Sequence, residues 1–575
     1  MYNFYSNRIP DTERNRIRLQ RIREQAKQML GESIQSLNFS KFKLFHETGN
    51  RLDYENEYMI HRSRLNLMAA MALSDESEEW LEAVEDILWA ICDEVTWAFP
   101  AYIAKDADVD AMLTRLDLFA AETAIALSEI CYLLKDRLHP IVFERVQYEL
   151  KRRVITPHMK TVMTYRSNWS AVCACGLCSA IVHSGTREEF EEAKEALVCS
   201  AYDFLDSYTE DGCCLEGPTY WSYGFSHFCF LAQMLREQTD GEIDLFREEK
   251  VKNIALYMQK TSLEEDYVVP FGDASHRYRF EYCLVNLLNY EYEEFAAPTP
   301  EMLALHEYGD SRERFARFMR DFYWTEEVLP PKKTQDGMVK WSGAGWSEQS
   351  EKNQTNRFEV FEKSQQYIRR FDNFIFAAKG GHNAEPHNHN DIGSFIIFSD
   401  GQYLLDDLGW AEYDNKYFTS ARYDNICASS LGHSVPIING KAQLPGSDRK
   451  ASATLVENRI SLDISSAYEV TRFSRDFVFK ENDTIEIEDC FEDDKLQITE
   501  RFVTRVKPEL LEGDVRIGPL TVTCESPCRV QISSQEFQPR VLGDLNIIET
   551  AYFIDFIFEE IKCDQKVTFT IYLRK

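Results

Sequence analysis

The chain has 575 residues and a formal charge of −32 at pH 7, and its apolar and aromatic content is enough for two or three packed domains. A chain this acidic lacks the broad basic surface that nucleic acid or an anionic membrane needs in a general partner. Its charges are spread along its length instead of being gathered into tails, so no long disordered region is expected.

The first residues, MYNFYSNRIPDTERNRIRLQ, carry charge and aromatics without the apolar core of a signal peptide. The apolar stretch 117–134 is interrupted by Glu122 and Glu129, so no membrane span is expected. Fifteen cysteines, an odd number with several on apolar helical stretches, suit a reducing compartment better than a disulfide framework. A cytoplasmic location is the expectation.

Residues 1–327 are predicted to form a helical domain. In DESEEWLEAVEDILWAIC the residues Trp80, Leu81, Val84, Ile87, Leu88 and Ile91 recur at helical spacing, with Asp75 and neighbouring glutamates at the start, where the helix dipole favours acids. Similar stripes occupy 111–136, 141–154, 168–183, 187–208, 245–260 and 300–322. There is no self-similarity at a fixed period.

The paired prolines, lysines and glycine of VLPPKKTQDGM predict a linker over 328–338. An antiparallel β domain is predicted over 339–575. Phe477 and Phe479, the turn Glu481-Asn482-Asp483, then Ile485 and Ile487 alternate as a hairpin does, and Val567, Phe569, Ile571 and Leu573 alternate likewise. The fold class is therefore α+β and multidomain, with a site expected at the junction of the halves.

Four of the twelve histidines, His382, His387, His389 and His433, crowd into one window of the β half, and the rest of that half has none. In an extended HNHND segment, His387, His389 and Asp391 share one face while Asn388 and Asn390 take the other. Imidazole nitrogen and carboxylate oxygen together suit a borderline divalent ion such as zinc. Asp406 and Asp407 end a short strand that a hairpin can return to His389, and His433 follows a loop that can close the shell.

The segment HNHNDIGSF, the D-x-G of Asp407-Leu408-Gly409, and a histidine before a short apolar strand resemble the heparinase II/III-like family of polysaccharide lyases. The resemblance implies an N-terminal (α/α) toroid and a C-terminal antiparallel β-sandwich. It implies one structural zinc per chain held by His389, Asp407 and His433, with Asp406 as the alternative to Asp407, and His387 as the catalytic histidine. In SNWSAVC it aligns Asn168 with the residue that neutralises a uronate carboxylate. In EGPTYWSYGFSHF it supplies a catalytic tyrosine, Tyr223 in preference to Tyr220 because a glycine follows it. Trp169, Glu216, Tyr220 and Trp221 are the implied substrate-binding or supporting residues.

The implied reaction is β-elimination on a uronate-containing oligosaccharide or polysaccharide. Taking the C5 proton builds charge on the carboxylate, which a donor such as Asn168 stabilises in the transition state. A tyrosine, with an ordinary pKa of about 10, needs activation to act as a base and is suited to protonate the leaving oxygen, whereas histidine works near neutrality. A polyanionic substrate in so acidic a chain requires a focused basic cleft or a short substrate. Lys151, Arg152, Arg153 and Arg166 lie near Asn168, although the first three fit a solvated helical face.

Other features carry less. Cys173, Cys175 and Cys178 of CACGLC run into an apolar helix and are expected to be buried thiols. His227 and His276 are candidates to line the cleft. A rival reading is a glycoside hydrolase on the same helical toroid with Asp211 and Glu216 as its carboxylate pair, but this leaves the histidine window without a role. A non-catalytic glycan-binding protein of the same fold is the other alternative. The sequence is compatible with a homo-oligomer.

Overall fold

The computed structural model describes residues 8–295, 303, 314–325, 358–411, 417, 419–540 and 547–574. The expected linker at 328–338 lies outside them. The chain divides into two compact units: one comprises Met1–Tyr208, Ser222–Lys252 and Phe280–Gly343, and the other Thr209–Trp221, Asn253–Arg279 and Ala344–Lys575.

The first unit is helical. Leu118–Leu133 is buried on nearly every face and packs on Asn168–Ser184, which is buried along most of its length. Their approach is close because Gly176 has no side chain: a Cβ there would lie 2.7 Å from the Cα of Ala121. Ser128 and Ser179 join their hydroxyls across the same contact at 3.0 Å, so neither is left unpaired in the core.

Side chains set where these helices begin. The predicted stripe 111–136 is split into Val109–Thr114 and Leu118–Leu133. The break falls at Asp117, whose carboxylate accepts from the Ala120 and Phe99 amides at 2.7 and 2.9 Å. Thr186 and Glu189 form a reciprocal capping box at the start of Arg187–Leu205. The stripe 245–260 is likewise broken into Leu245–Arg247, Glu249–Ala255 and Tyr257–Thr261. Among the described residues no helix is long and apolar enough to cross a membrane.

The second unit is antiparallel β. A five-stranded sheet takes Phe358–Phe361, Gln366–Arg370, Ile375–Lys379, Phe395–Ser399 and Gln402–Leu405 in that order, beside sheets of eight and four strands. The expected hairpin is present, with Phe477 opposite Ile487 and Phe479 opposite Ile485. Asn482 and Asp483 turn it with φ of 58° and 55°, the left-handed pair that matches strand twist. Gln565–Leu573 pairs with Thr484–Phe491. Phe376, Phe395, Phe477, Phe502 and Phe569, drawn from all three sheets, meet in one apolar core, which is the sandwich arrangement.

Two segments from the helical part of the sequence belong to this β unit. Lys363 donates its amide to Asp211 Oδ2 at 2.9 Å, Arg370 donates to the Ser262 carbonyl at 2.6 Å, and the Tyr403 hydroxyl donates to the Val268 carbonyl at 2.6 Å. These hydrogen bonds bring Thr209–Trp221 and Asn253–Arg279 to the histidine window.

Candidate metal and catalytic centre

His389, Asp391, Asp407 and His433 are all buried, and one ligand atom from each lies within 4.8 Å of the others. Hydrogen bonds on their outer sides decide which atoms face inward. His433 Nε2 donates to the Cys427 carbonyl at 2.9 Å, which leaves Nδ1 as the bare nitrogen, 3.2 Å from Asp407 Oδ2. Asp407 Oδ1 accepts the Gly409 amide at 2.9 Å, leaving Oδ2 free to face the cluster.

That last contact gives the D-x-G spacing a physical reason. Gly409 has φ +67°, and a Cβ there would stand 2.7 Å from the Ala274 carbonyl oxygen, so a side chain would meet both strain and backbone. Asp406 is directed elsewhere: Oδ1 pairs with His276 Nε2 at 2.8 Å and Oδ2 lies 3.3 Å from Arg505. His276 therefore holds Asp406 and the Asp407 carbonyl, which it reaches at 2.6 Å.

Asp273 organises the two histidines of the HNH segment. This fully buried carboxylate accepts from His387 Nδ1 at 2.7 Å through Oδ2. Through Oδ1 it accepts from His389 Nε2 at 3.1 Å, the Tyr417 hydroxyl at 2.5 Å and Arg422 at 2.9 Å. Burial opposes its ionisation, yet the bonds from His387 and His389 and the Arg422 charge hold it well below the usual carboxylate range. An ionised carboxylate only accepts, so both imidazoles donate to it. His389 Nδ1 is left without its proton, buried and with no hydrogen-bond partner among the described residues, and in the neutral ring of His387 the unprotonated nitrogen is Nε2.

His387 differs from its neighbours in exposure and in backbone. Its side chain retains 21% of its accessibility, whereas His389 retains none. Its φ of 54° lies in the left-handed region, a conformation that costs energy for a side-chain-bearing residue and gathers at functional sites. The Tyr220 ring lies against the imidazole with centroids 4.3 Å apart, and Trp410 meets Tyr220 edge-on at 6.4 Å. Glu216 stands close by, half-buried. Burial raises its pKa, the His387 charge opposes that shift and Asp273 adds to it.

The remaining sequence-selected residues fall as follows. Trp221 is fully buried and donates its indole N–H to the Ile254 carbonyl at 2.8 Å, so it supports the core and offers no stacking face. Asp211 is occupied by the Thr209 hydroxyl at 2.5 Å and the Lys363 amide, which removes it from a hydrolase pair with Glu216.

In the helical unit, Asn168 opens its helix behind the Ser167 cap. A Cβ on Gly224 would lie 3.1 Å from the Asn168 Cβ, so the residue after Tyr223 packs tightly on Asn168. Tyr223 is buried beneath the Arg314 guanidinium, 4.0 Å from the ring centroid. Burial pushes its phenol well above the usual value, Glu122 adds to this and Arg314 opposes it. His227 is fully buried, donating Nδ1 to the Tyr223 carbonyl at 2.9 Å, with Nε2 3.2 Å from Glu122.

Trp169 packs on Tyr102 and Tyr165, with centroids 4.9 and 5.5 Å away. Arg152 and Arg153 are tied to Glu149 at 2.6 and 2.5 Å, and Lys151 pairs with Glu189, so these three make ion pairs within the helical unit. Cys173, Cys175 and Cys178 are buried thiols whose pKa values burial raises.

Sequence reasoning missed Asp273. It also noted Asp391 only as sharing a face with the histidines, whereas the geometry adds it to the cluster, 2.8 Å from Lys379 Nζ. The sequence does carry one signal for Asp273, the pair Asp273 and His276 in a short polar run after Pro270-Phe271-Gly272.

Residues 353–518 match the family described as Heparinase II/III-like, C-terminal. No curated protein matches the chain. Among solved structures, a heparinase III is similar over 99% of this chain and 86% of its own, with a TM-score of 0.63 at 12% identity. The heparan sulfate lyase HepC from Pedobacter heparinus covers 96% of this chain and 87% of its own, with a TM-score of 0.56 at 12% identity. The chondroitin AC lyase of Streptomyces coelicolor A3, solved in complex with chondroitin sulphate, covers 98% and 80%, with a TM-score of 0.56 at 11% identity. These likenesses bear out the α+β fold: helical toroid first, antiparallel β-sandwich second.

Proposed function

We propose that this chain, whose β unit carries the heparinase II/III-like C-terminal domain, is a polysaccharide lyase acting on uronate-containing, glycosaminoglycan-like chains by β-elimination. The observation that carries the reading is His387: partly exposed, anchored through Nδ1 by Asp273, backed by Tyr220, and left with Nε2 as the nitrogen that can take a proton. Such an imidazole is a general base suited to neutral pH.

In this mechanism His387 Nε2 removes the proton from C5 of the uronate. The electron pair forms the C4–C5 double bond, the C4–O bond breaks, and a tyrosine phenol protonates the departing oxygen. Tyr220 is the phenol assigned this role, because its ring lies against His387. Asn168 is assigned to the carboxylate, where an amide donor stabilises developing charge without adding a full charge of its own. Glu216 and Trp169 are assigned to substrate binding.

His389, Asp391, Asp407 and His433 fit a zinc ion: two imidazole nitrogens fixed as bare by outer hydrogen bonds, and two buried carboxylates. Bound there, zinc would serve structure, tying the segment that bears His387 to the sheet. The net charge of −32 disfavours long polyanions, so short uronate oligosaccharides in a reducing, cytoplasmic compartment are the proposed substrates. The test is incubation with defined uronate oligosaccharides while following the ultraviolet absorbance of the unsaturated product. Hydrolysis to saturated ends would replace this reading with a hydrolase, and binding without turnover would replace it with a glycan sensor.

A further inference from the structure

We propose that Asp273 is the positioning residue for His387, and that it couples the orientation of this base to the metal-ligand shell through a single carboxylate. The proposal rests on the lyase reading for its kinetic consequence, but not for its structural content. Asp273 divides its oxygens: Oδ2 accepts from His387, while Oδ1 gathers His389, Tyr417 and Arg422. The residue is fully buried, and its separation of 114 positions from His387 means that the tertiary fold, not local chain geometry, places it there.

The physical effect is to fix a tautomer. An acceptor-only group beside Nδ1 puts the proton on that nitrogen and leaves Nε2 bare, which a base needs. The backbone of His387 is left-handed, with φ 54°, and the carboxylate holds the ring in the direction this sets. His389 is treated in the opposite sense: the same carboxylate takes Nε2–H and leaves Nδ1 for the cluster. One side chain therefore assigns the two histidines of the HNH segment to different tasks by binding different ring nitrogens.

Asp273→Asn keeps the shape and can still accept from His389 and Arg422 through one oxygen, but it presents an N–H₂ to His387 Nδ1. The ring must then turn or change tautomer. Turnover is expected to fall by about 10²- to 10⁴-fold, with KM changing far less. The same substitution in a His387→Ala background should cost less than about 3-fold more, because the residue acts through that imidazole.

Nitrogen-15 NMR of histidine-labelled wild-type protein reads the tautomer without an assay, with the His387 signals identified by their loss in His387→Ala. Nδ1 protonated is the expected result, and a bare Nδ1 would overturn the proposal even if Asp273→Asn failed to fold. Full additivity of the two substitutions on turnover would overturn it as well. If no uronate substrate is turned over but Nδ1 carries the proton, the lyase reading fails and the positioning assignment stands.

Discussion

His433 Nδ1 and Asp407 Oδ2 face each other at 3.2 Å in the core of the β unit, and among the described residues neither atom has a further hydrogen-bond partner. With Nε2 of the same ring committed to a carbonyl, this nitrogen and this carboxylate oxygen need a positive charge between them in a buried site, either a proton on the imidazole or a metal ion.

Purified protein is therefore expected to carry about one zinc per chain. His389→Ala should lose it, and Asp391→Asn should weaken it, whereas Asp406→Asn should retain it. A metal present at about 1,000 times its Kd stabilises by about 4 kcal/mol, so the loss should appear as a marked fall in Tm. Elemental analysis beside thermal melts checks this, and stoichiometric zinc in a stable His389→Ala protein would refute the assignment.

The catalytic division is tested by substitutions that spare packing. His387→Ala should keep metal and fold but lower kcat by about two to four orders of magnitude, the usual span for a general base. Retained zinc with abolished turnover separates it from His389→Ala, and unchanged kcat would remove His387 from the mechanism.

Two tyrosines one helical turn apart give a sharper contrast. Tyr220→Phe should lower kcat by about 10²-fold or more, since its ring lies against His387. Tyr223→Phe removes a phenol held under Arg314 and is expected to affect stability more than turnover. The reverse pattern would restore the sequence-based preference for Tyr223, and normal activity in both would refute tyrosine catalysis altogether.

Asp117 gives the helical unit a pH dependence of its own. Burial raises its pKa to about 7, against the pull of backbone amides, compared with about 3.9 for an unperturbed aspartate. A raised acid favours the folded state most below the unfolded value, and that contribution is lost as pH climbs from about 4 to about 7. Near pH 4, where Asp117 is protonated, Asp117→Asn should lower stability by about 1 kcal/mol through a lost amide contact, and it should flatten the slope so that this deficit shrinks or reverses towards pH 7. Urea midpoints measured across the range decide it, and parallel curves for the two proteins would count against the assignment.

Gly409→Ala should destabilise the β unit by more than the roughly 1 kcal/mol of a left-handed alanine, because the new Cβ would also stand 2.7 Å from the Ala274 oxygen. It should weaken zinc retention along with Tm, since the Gly409 amide orients Asp407. A Tm within error of wild type would show that the loop accommodates the methyl group.

The hairpin around Asn482 was legible because alternation and turn residues are local signals, and His389, Asp407 and His433 were legible because they sit in short motifs. The choice between Asp406 and Asp407 was not, since it depends on which carboxylate the Gly409 amide pins. Alternation predicted one shared face for His387, His389 and Asp391. The left-handed φ of His387 breaks that alternation and turns the ring to Asp273, while His389 and Asp391 reach the cluster. Trp221 shows the limit from the other side: an aromatic near a motif looks like a sugar platform until its N–H is found bonded to Ile254.

The grouping of Thr209–Trp221 and Asn253–Arg279 with the β unit has a consequence for synthesis on the ribosome. Asp273 leaves the exit tunnel well before its partner His387 is made, since 114 positions separate them, and at about 5–20 residues per second the delay is several seconds to some tens of seconds. During that interval the two segments have no sheet to pack on, and a buried carboxylate has no imidazole to pair with. The β unit is therefore expected to close late, with slow, high-contact-order kinetics, and a gene cut between residues 279 and 358 should yield two insoluble products that recover activity only when coexpressed.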